Sequence, residues 1–227
     1  LEHGGAAPVV VAADANLDRL VPSLTKGGFY HAGQVCVSVQ RVFADSSIAR
    51  EVAQKIAEKA KNLIVGDPTD AATEVGPLIR HRETDRVEAW VNEAVAAGAE
   101  VFCGGKRISD SCFEATVLLN PPSDCKVSQA EIFGPVVCVY SVENVDAAIA
   151  RANDVPFSFQ ASVFTRSIDT AMRVYRRLNA SAVMVNEHTA FRVDWMPFAG
   201  LKQSGLAVGG IPFTTVSYTH LRAHETL

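Results

Sequence analysis

The sequence predicts an α/β fold: a mostly parallel open sheet flanked by helices. Three observations carry that reading. Short β-branched runs alternate with longer stretches whose apolar residues recur at helical spacing. Turn-forming clusters punctuate the junctions, at Gly66-Asp67-Pro68, Gly104-Gly105, Pro121-Pro122, Gly134-Pro135 and Gly209-Gly210. Strands separated by helices form βαβ units, and their helices cover both faces of the sheet.

Taken in order, Val9 to Ala13 reads as a buried strand, and Asp14 as the N-cap of a helix carrying Leu17, Leu20, Val21 and Leu24 on one face. Val39 to Phe43 reads as a strand. Ser46-Ser47 is the expected cap of the next helix, where Ile48, Val52, Ile56, Ala60 and Leu63 repeat. A stripe of Val87, Trp90, Val91, Ala94 and Val95 makes a further helix, ended by Gly98. Strands follow at Val101–Cys103, Thr116–Leu119 and Pro135–Tyr140, then a helix from about Asn144 to Ala152. Gln160–Phe164 is a strand, Ile168–Leu178 a helix and Ser181–Asn186 a strand. Residues 5–205 form one compact domain, and 206–216 a return segment. Residues 217–227 lack periodicity and are set apart as a non-native tail, and the chain, which opens without Met, is expected to be a fragment.

The 227 residues are 48% apolar and 20% charged, which excludes disordered and collagen-like classes. A net charge of −4 gives no basic footprint for nucleic acid. No apolar run approaches the roughly 20 residues of a membrane helix, so no membrane partner is expected. The five cysteines are odd in number and hold no CxxC pair, which argues against a disulfide framework or metal site and for a reducing, cytoplasmic setting.

One thiol stands apart. Cys36 follows a Gly-containing turn, Gly33-Gln34-Val35, between a helix and a strand. A reactive thiol needs partial exposure, and backbone amides of such a turn, that of Cys36 included, can hold an oxyanion. Cys103, Cys112, Cys125 and Cys138 sit in apolar runs or ordinary loops and read as small core residues. His31, five residues before Cys36, falls about 140° away if the segment is helical, so a Cys–His dyad is not supported. Singly, Glu2 reads as a solvated acid, Glu131 and Phe133 as parts of a turn, and Asn186 as a turn-forming residue.

Five segments change that reading by their order: Leu-Glu-x-Gly-Gly at 1–5, Gly-Gln-x-Cys at 33–36, Glu-Ile-Phe-Gly-Pro at 131–135, Val-Asn at 185–186 and Pro-Phe-x-Gly-x-Lys-x-Ser-Gly at 197–205. With Val65-Gly66-Asp67-Pro68 and Glu74 to Leu78, they resemble the C-terminal half of the NAD(P)-dependent aldehyde dehydrogenase superfamily over about residues 1–213. The resemblance implies a mechanism. Cys36 is then the nucleophile that forms a thiohemiacetal and, after hydride loss, a thioester. Glu2 is the general base that activates the hydrolytic water. Glu131 would bond the nicotinamide ribose, Phe133 would pack near the nicotinamide ring, and Gly4 and Gly5 would let backbone approach the cofactor, NAD or NADP. Phe198 would wall the substrate tunnel. His3 stands where Leu is common, and Ala199 where Gly is frequent.

The loop from Asn186 to Trp195 would border the substrate mouth, with Asn186 and Arg192 as substrate-binding residues. Arg192 there offers a fork to an anionic tail, or pairs internally with Asp194 or Glu187. Phe-Arg-x-Asp-x-Met-Pro-Phe is similar to members acting on small hydroxy- or acid-bearing aldehydes. The expected partners are a small aldehyde substrate and, at full length, further copies of the chain as a homo-oligomer. The sequence lacks a GxGxxG loop and the family's upstream Asn and Lys, so this portion alone is expected to be inactive. Two other readings are a cofactor-independent thiol esterase built on Cys36 and a non-catalytic, truncated subunit acting as an interaction module.

Overall fold

The computed structural model describes residues 4–216; Glu2, His3 and the segment 217–227 lie outside them. In chain order the main elements are β1 (Pro8–Val11), α1 (Leu17–Phe29), β2 (Arg41–Asp45), α2 (Ala49–Ala60), α3 (His81–Ala96), β3 (Glu100–Cys103), β4 (Thr116–Leu119), α4 (Lys126–Gln129) and β5 (Val136–Val142). Then come α5 (Val145–Asn153), β6 (Phe157–Ser158), β7 (Gln160–Phe164), α6 (Ile168–Arg177), β8 (Ala182–Val185), β9 (Phe198–Ala199), β10 (Leu201–Lys202), β11 (Val208–Gly209) and α7 (Ile211–Val216).

Seven strands form one sheet in the order β3-β4-β5-β2-β1-β7-β8. All its neighbours pair parallel except β3, which runs antiparallel to β4 at the edge. The expected class therefore holds. The crossovers put α1 and α2 on one face, where α2 packs on β3, β4 and β5, and put α5 and α6 on the other, against β1, β2 and β7. Central strands such as Val9-Val10-Val11 are buried on both sides, which is why they read as continuous apolar runs rather than alternating ones. Leu20, Leu24 and Ile56 are wholly buried beneath the helices; each such side chain stabilises the fold by about 1.5–3 kcal/mol relative to exposure.

Two expected caps are corrected. Asn16, not Asp14, caps α1: its Oδ1 accepts from the backbone N–H groups of Asp18 (3.0 Å) and Arg19 (3.3 Å). Asp14 instead accepts from the Thr165 hydroxyl (2.8 Å) and the Arg166 amide (3.0 Å), tying the end of β1 to the end of β7. Nor do Ser46 and Ser47 cap α2, which starts after Ile48 without a side-chain cap. Asp45 takes up the Ser47 hydroxyl (2.6 Å) and amide (3.0 Å) in a local turn. Asn144 and Ser167 do cap α5 and α6.

Beyond β8 the chain folds back by two-residue pairings that periodicity did not reveal. β10 pairs antiparallel with β6, and β11 with β9. The buried Ser204 hydroxyl accepts the Ser158 amide at 2.8 Å, locking the 197–205 loop onto the strand that leads into β7. That return carries Phe198 to the edge where the chemical groups gather.

Candidate active site

The groups converge at the amino ends of the parallel strands. Gly4 and Gly5 precede β1, Gly33 to Gln40 precede β2, Glu131 to Pro135 precede β5, and Phe159 precedes β7. None of the five cysteines is in a disulfide, and Cys36 is the one that is not buried. Burial pushes the thiols of Cys138 and Cys103 up, to about 12 and about 11, and raises Cys125 as well. Those sulfurs stay protonated in the core, as the sequence suggested.

Cys36 sits after an unusual turn. His31 (φ 50°), Ala32 (φ 54°) and Gly33 (φ 70°) are consecutive left-handed residues, two of them with side chains. Each non-glycine residue there costs about 1–2 kcal/mol, so the surroundings must hold the turn. Gln34 does much of that. Its Nε2 donates to the carbonyls of His31 and Pro77 (both 3.2 Å), and its Oε1 accepts the Ile79 amide (2.9 Å). Gly33 packs so closely on Gly134 that a Cβ would lie 2.6 Å from the Gly134 carbonyl carbon. Downstream, the buried Thr189 hydroxyl donates to the Val37 carbonyl (2.7 Å). Tyr30 borders this turn; burial, then the neighbouring Cys36, pushes its phenol up to about 12, so it remains a hydrogen-bond donor at neutral pH.

The other lip is carboxylate and backbone. Glu131 Oε1 accepts the Gly5 amide at 2.9 Å. Gly4 has φ +92°, and a Cβ on it would overlap the Glu131 carboxyl group. Cys36 lies alongside: its carbonyl oxygen is 3.0 Å from where a Gly5 Cβ would stand. Phe133, also left-handed (φ 49°), presents its ring 39% exposed. A carboxylate beside an unsubstituted backbone and a bare aromatic face suit the ribose and ring of a dinucleotide.

The third wall is aromatic. Phe159 packs over Gly5 and meets Phe198 edge to face, ring centroids 4.8 Å apart at 88°. The exposed Arg192 lays its guanidinium over the other side of Phe198, 4.2 Å from the centroid. Among the described residues Arg192 has no ion pair with Asp194 or Glu187; Glu187 bonds Ser23 (2.9 Å) and the His188 amide (2.9 Å) instead.

Of the residues singled out from sequence, Gly4, Cys36, Glu131, Phe133, Phe198 and Arg192 thus share one edge of the sheet, while Glu2 lies outside the described residues. Asn186 sits apart from them. It follows β8 at the carboxyl ends of the strands, with its amide engaged both ways on Thr165: Oδ1 accepts the amide and Nδ2 donates to the carbonyl, each at 3.0 Å. Its backbone is left-handed (φ 55°), as in a turn-forming residue. Gln40 and Thr189, whose partners lie far away in sequence, had no sequence signal.

The aldehyde dehydrogenase family model matches residues 1–223. The 3-sulfolactaldehyde dehydrogenase of Priestia aryabhattai is 37% identical over 222 residues, 98% of this chain and 46% of that protein. Aspartate-semialdehyde dehydrogenase 1 of Pseudomonas canavaninivorans is 38% identical over 213 residues, 94% of this chain and 45% of its own length. Among solved structures, the glyceraldehyde-3-phosphate dehydrogenase of Methanocaldococcus jannaschii, complexed with NADP, superposes with a TM-score of 0.90 at 37% identity, covering 94% of this chain and 46% of that one. The chain spans about half the length of the curated relatives it matches. A fold, an ordered set of motifs and a family match over nearly all its residues agree: the chain belongs to the aldehyde dehydrogenase family.

Proposed function

We propose that this chain supplies the nucleophile and much of the active-site wall of an enzyme that oxidises an aldehyde to a carboxylic acid with NAD or NADP. The observation that carries this is the position of Cys36, the one cysteine outside the core, on a strained turn packed against Gly5 and Gly134. The Cys36 sulfur adds to the aldehyde carbon, and the carbonyl oxygen, gaining negative charge, is received by backbone N–H groups of the turn. NAD or NADP, when bound, accepts the hydride that leaves the thiohemiacetal carbon. The resulting thioester on Cys36 is hydrolysed by water that gives its proton to Glu2, which releases the acid and the thiol. Glu131 and Phe133 orient the nicotinamide end, and Gly4, lacking a Cβ, leaves room for the Glu131 carboxyl group. The balance is one aldehyde, one water and one oxidised nucleotide to one acid, one reduced nucleotide and one proton.

Arg192 sets the substrate class. Stacked on Phe198 and exposed, it can meet the anionic tail of a small aldehyde at the mouth. The names of the similar proteins, for 3-sulfolactaldehyde and aspartate semialdehyde, are in keeping with an acid-bearing substrate. The domain reading (5–205 catalytic, 1–5 joining a nucleotide-binding domain, 206–216 returning and 217–227 a tail), inactivity of this portion alone and homo-oligomerisation at full length belong to the same proposal. So does a cytoplasmic setting, which suits thiols kept out of disulfides; among the described residues no helix is long and apolar enough to cross a membrane.

The test is an aldehyde panel with the full-length enzyme and both nucleotides. Cys36→Ala should abolish nucleotide reduction, and Arg192→Ala should raise KM for an anionic aldehyde about tenfold while sparing a neutral one. Residual turnover by Cys36→Ala, or equal effects on both substrates, would refute the respective assignment.

A further inference from the structure

We infer that Gln40 is the positioning residue that sets the cofactor carboxylate, Glu131, against the segment running from Cys36 into β2. This rests on the reading of Glu131 as the ribose ligand. Gln40 lies four residues after Cys36, at the head of β2, and is 5% exposed. Its side chain makes three bonds to one distant segment. Nε2 donates to the carbonyls of Val127 (3.2 Å) and Ala130 (2.7 Å), and Oε1 accepts the Ile132 amide (2.9 Å). Those partners bracket Glu131, so both peptide units flanking it are held by one amide. The Gln40 carbonyl in turn accepts the Cys138 amide (2.8 Å), which pins the clamp to β5.

The next residue holds the opposite lip. Arg41, 2% exposed, donates from Nε to the Ala6 carbonyl (2.9 Å) and from Nη2 to the Ala152 carbonyl (3.1 Å). Successive strand residues point to opposite faces, so Gln40 grips the 130–132 segment while Arg41 grips the stretch after Gly5. Glu131 Oε1 bonded to the Gly5 amide joins the two lips. The amide of Gln40 is suited to this place because it donates and accepts at once; an apolar or charged side chain there leaves buried backbone groups unpaired.

The experiment uses the full-length enzyme with three variants. Gln40→Met keeps the volume and removes all three bonds. It should raise KM for the nucleotide at least about fivefold, with KM for the aldehyde and the rate of Cys36 alkylation by iodoacetamide within about twofold. Gln40→Glu keeps the acceptor for Ile132 and, when protonated, donates to Ala130. Burial favours the protonated form, so its nucleotide KM should return toward the parent's at pH 6 and worsen at pH 8.5. Glu131→Gln reports on the ligand itself. A nucleotide KM raised by Glu131→Gln but unmoved by Gln40→Met, or a Gln40→Met effect equal on both substrates, overturns the inference alone. A nucleotide KM unmoved by Glu131→Gln overturns the role of Glu131 and the inference with it. If Gln40→Met fails to unfold cooperatively, the pH dependence of Gln40→Glu decides, and a flat profile counts against the clamp.

Discussion

Gly33→Ala probes how tightly the nucleophile turn is bound to its neighbour. At φ +70° an alanine costs about 1–2 kcal/mol of backbone strain, offset by about 0.4–1 kcal/mol from a less flexible unfolded chain. The larger effect is steric. The new Cβ would lie 2.6 Å from the Gly134 carbonyl carbon, nearer still to its oxygen, and 3.2 Å from the Pro135 nitrogen. These are backbone atoms, so no side chain can rotate away, and overpacking of that kind adds about 1–3 kcal/mol. The sum is a loss of about 1–5 kcal/mol, centred near 3. Gly98→Ala is the control: φ is +109°, but nothing lies within 4 Å of its Cβ, so only the backbone contribution of about 1 kcal/mol is expected. Urea unfolding with unchanged slope separates the two. The only relief in Gly33→Ala is to part the 31–36 turn from 134–135, so the rate of Cys36 alkylation should also change, about threefold or more. The four buried cysteines contribute little to that signal. Equal destabilisation by the two substitutions, with unaltered alkylation, would refute the packing argument.

Thr189→Val, nearly isosteric, leaves the buried Val37 carbonyl without its partner and should cost about 1–3 kcal/mol in urea unfolding. Asn16→Ala should cost about 1 kcal/mol by loss of the α1 cap; Asp14→Ala should instead loosen the start of α6, seen as faster amide exchange at Arg166 and Ser167 with α1 unchanged. Burial holds the His188 imidazole below its usual value, opposed by Glu187 and assisted by Lys26. Its Nδ1 accepts the Ala190 amide (3.2 Å), which needs the unprotonated ring nitrogen. As pH falls through about 6.5 the unfolded chain takes up the proton first, so stability drops with falling pH and recovers as pH rises. His188→Gln should therefore lose less stability than the parent between pH 7 and pH 5, and parallel pH profiles of the urea midpoint would count against this.

What could be read in the sequence was what local chemistry decides. Thr116–Leu119 and Gln160–Phe164 emerge with their observed bounds because each is a compact run between turn signals, and Gly98 ends α3 because nothing else nearby tolerates its φ. Asp14 and Asn16 are equally good caps on paper. The choice is made by Thr165 and Arg166, which draw Asp14 away from across the sheet. The two-residue ladders of β6 with β10 and β9 with β11 are too short to have a period. Cys36, Glu131 and Phe198 were legible as a set only through motif order, since singly each has a bland reading. The left-handed conformations of His31, Ala32 and Phe133 carry no residue-type signal, because tertiary contacts impose them against local preference.

The site's place in the fold has a consequence for hydrogen bonding. In open parallel sheets ligands commonly sit at the carboxyl ends of the strands, where helix amino ends favour negative charge. Cys36 lies at the opposite edge, a few residues past the carboxyl end of α1, whose last carbonyls need partners outside the helix. The residues that follow Cys36 supply those partners. The Gly27 carbonyl accepts the Val39 amide (2.9 Å) and the Ser38 hydroxyl (3.1 Å), and the Gly28 carbonyl accepts the same hydroxyl (3.3 Å). The stretch from Ser38 to Arg41 therefore acts three ways within four residues. Ser38 and Val39 occupy the carbonyls at the end of α1, Gln40 holds the lip bearing Glu131, and Arg41 holds the lip bearing Gly5. The segment between Cys36 and β2 thus ties the end of α1, the 130–132 segment and the stretch after Gly5 to the head of one strand.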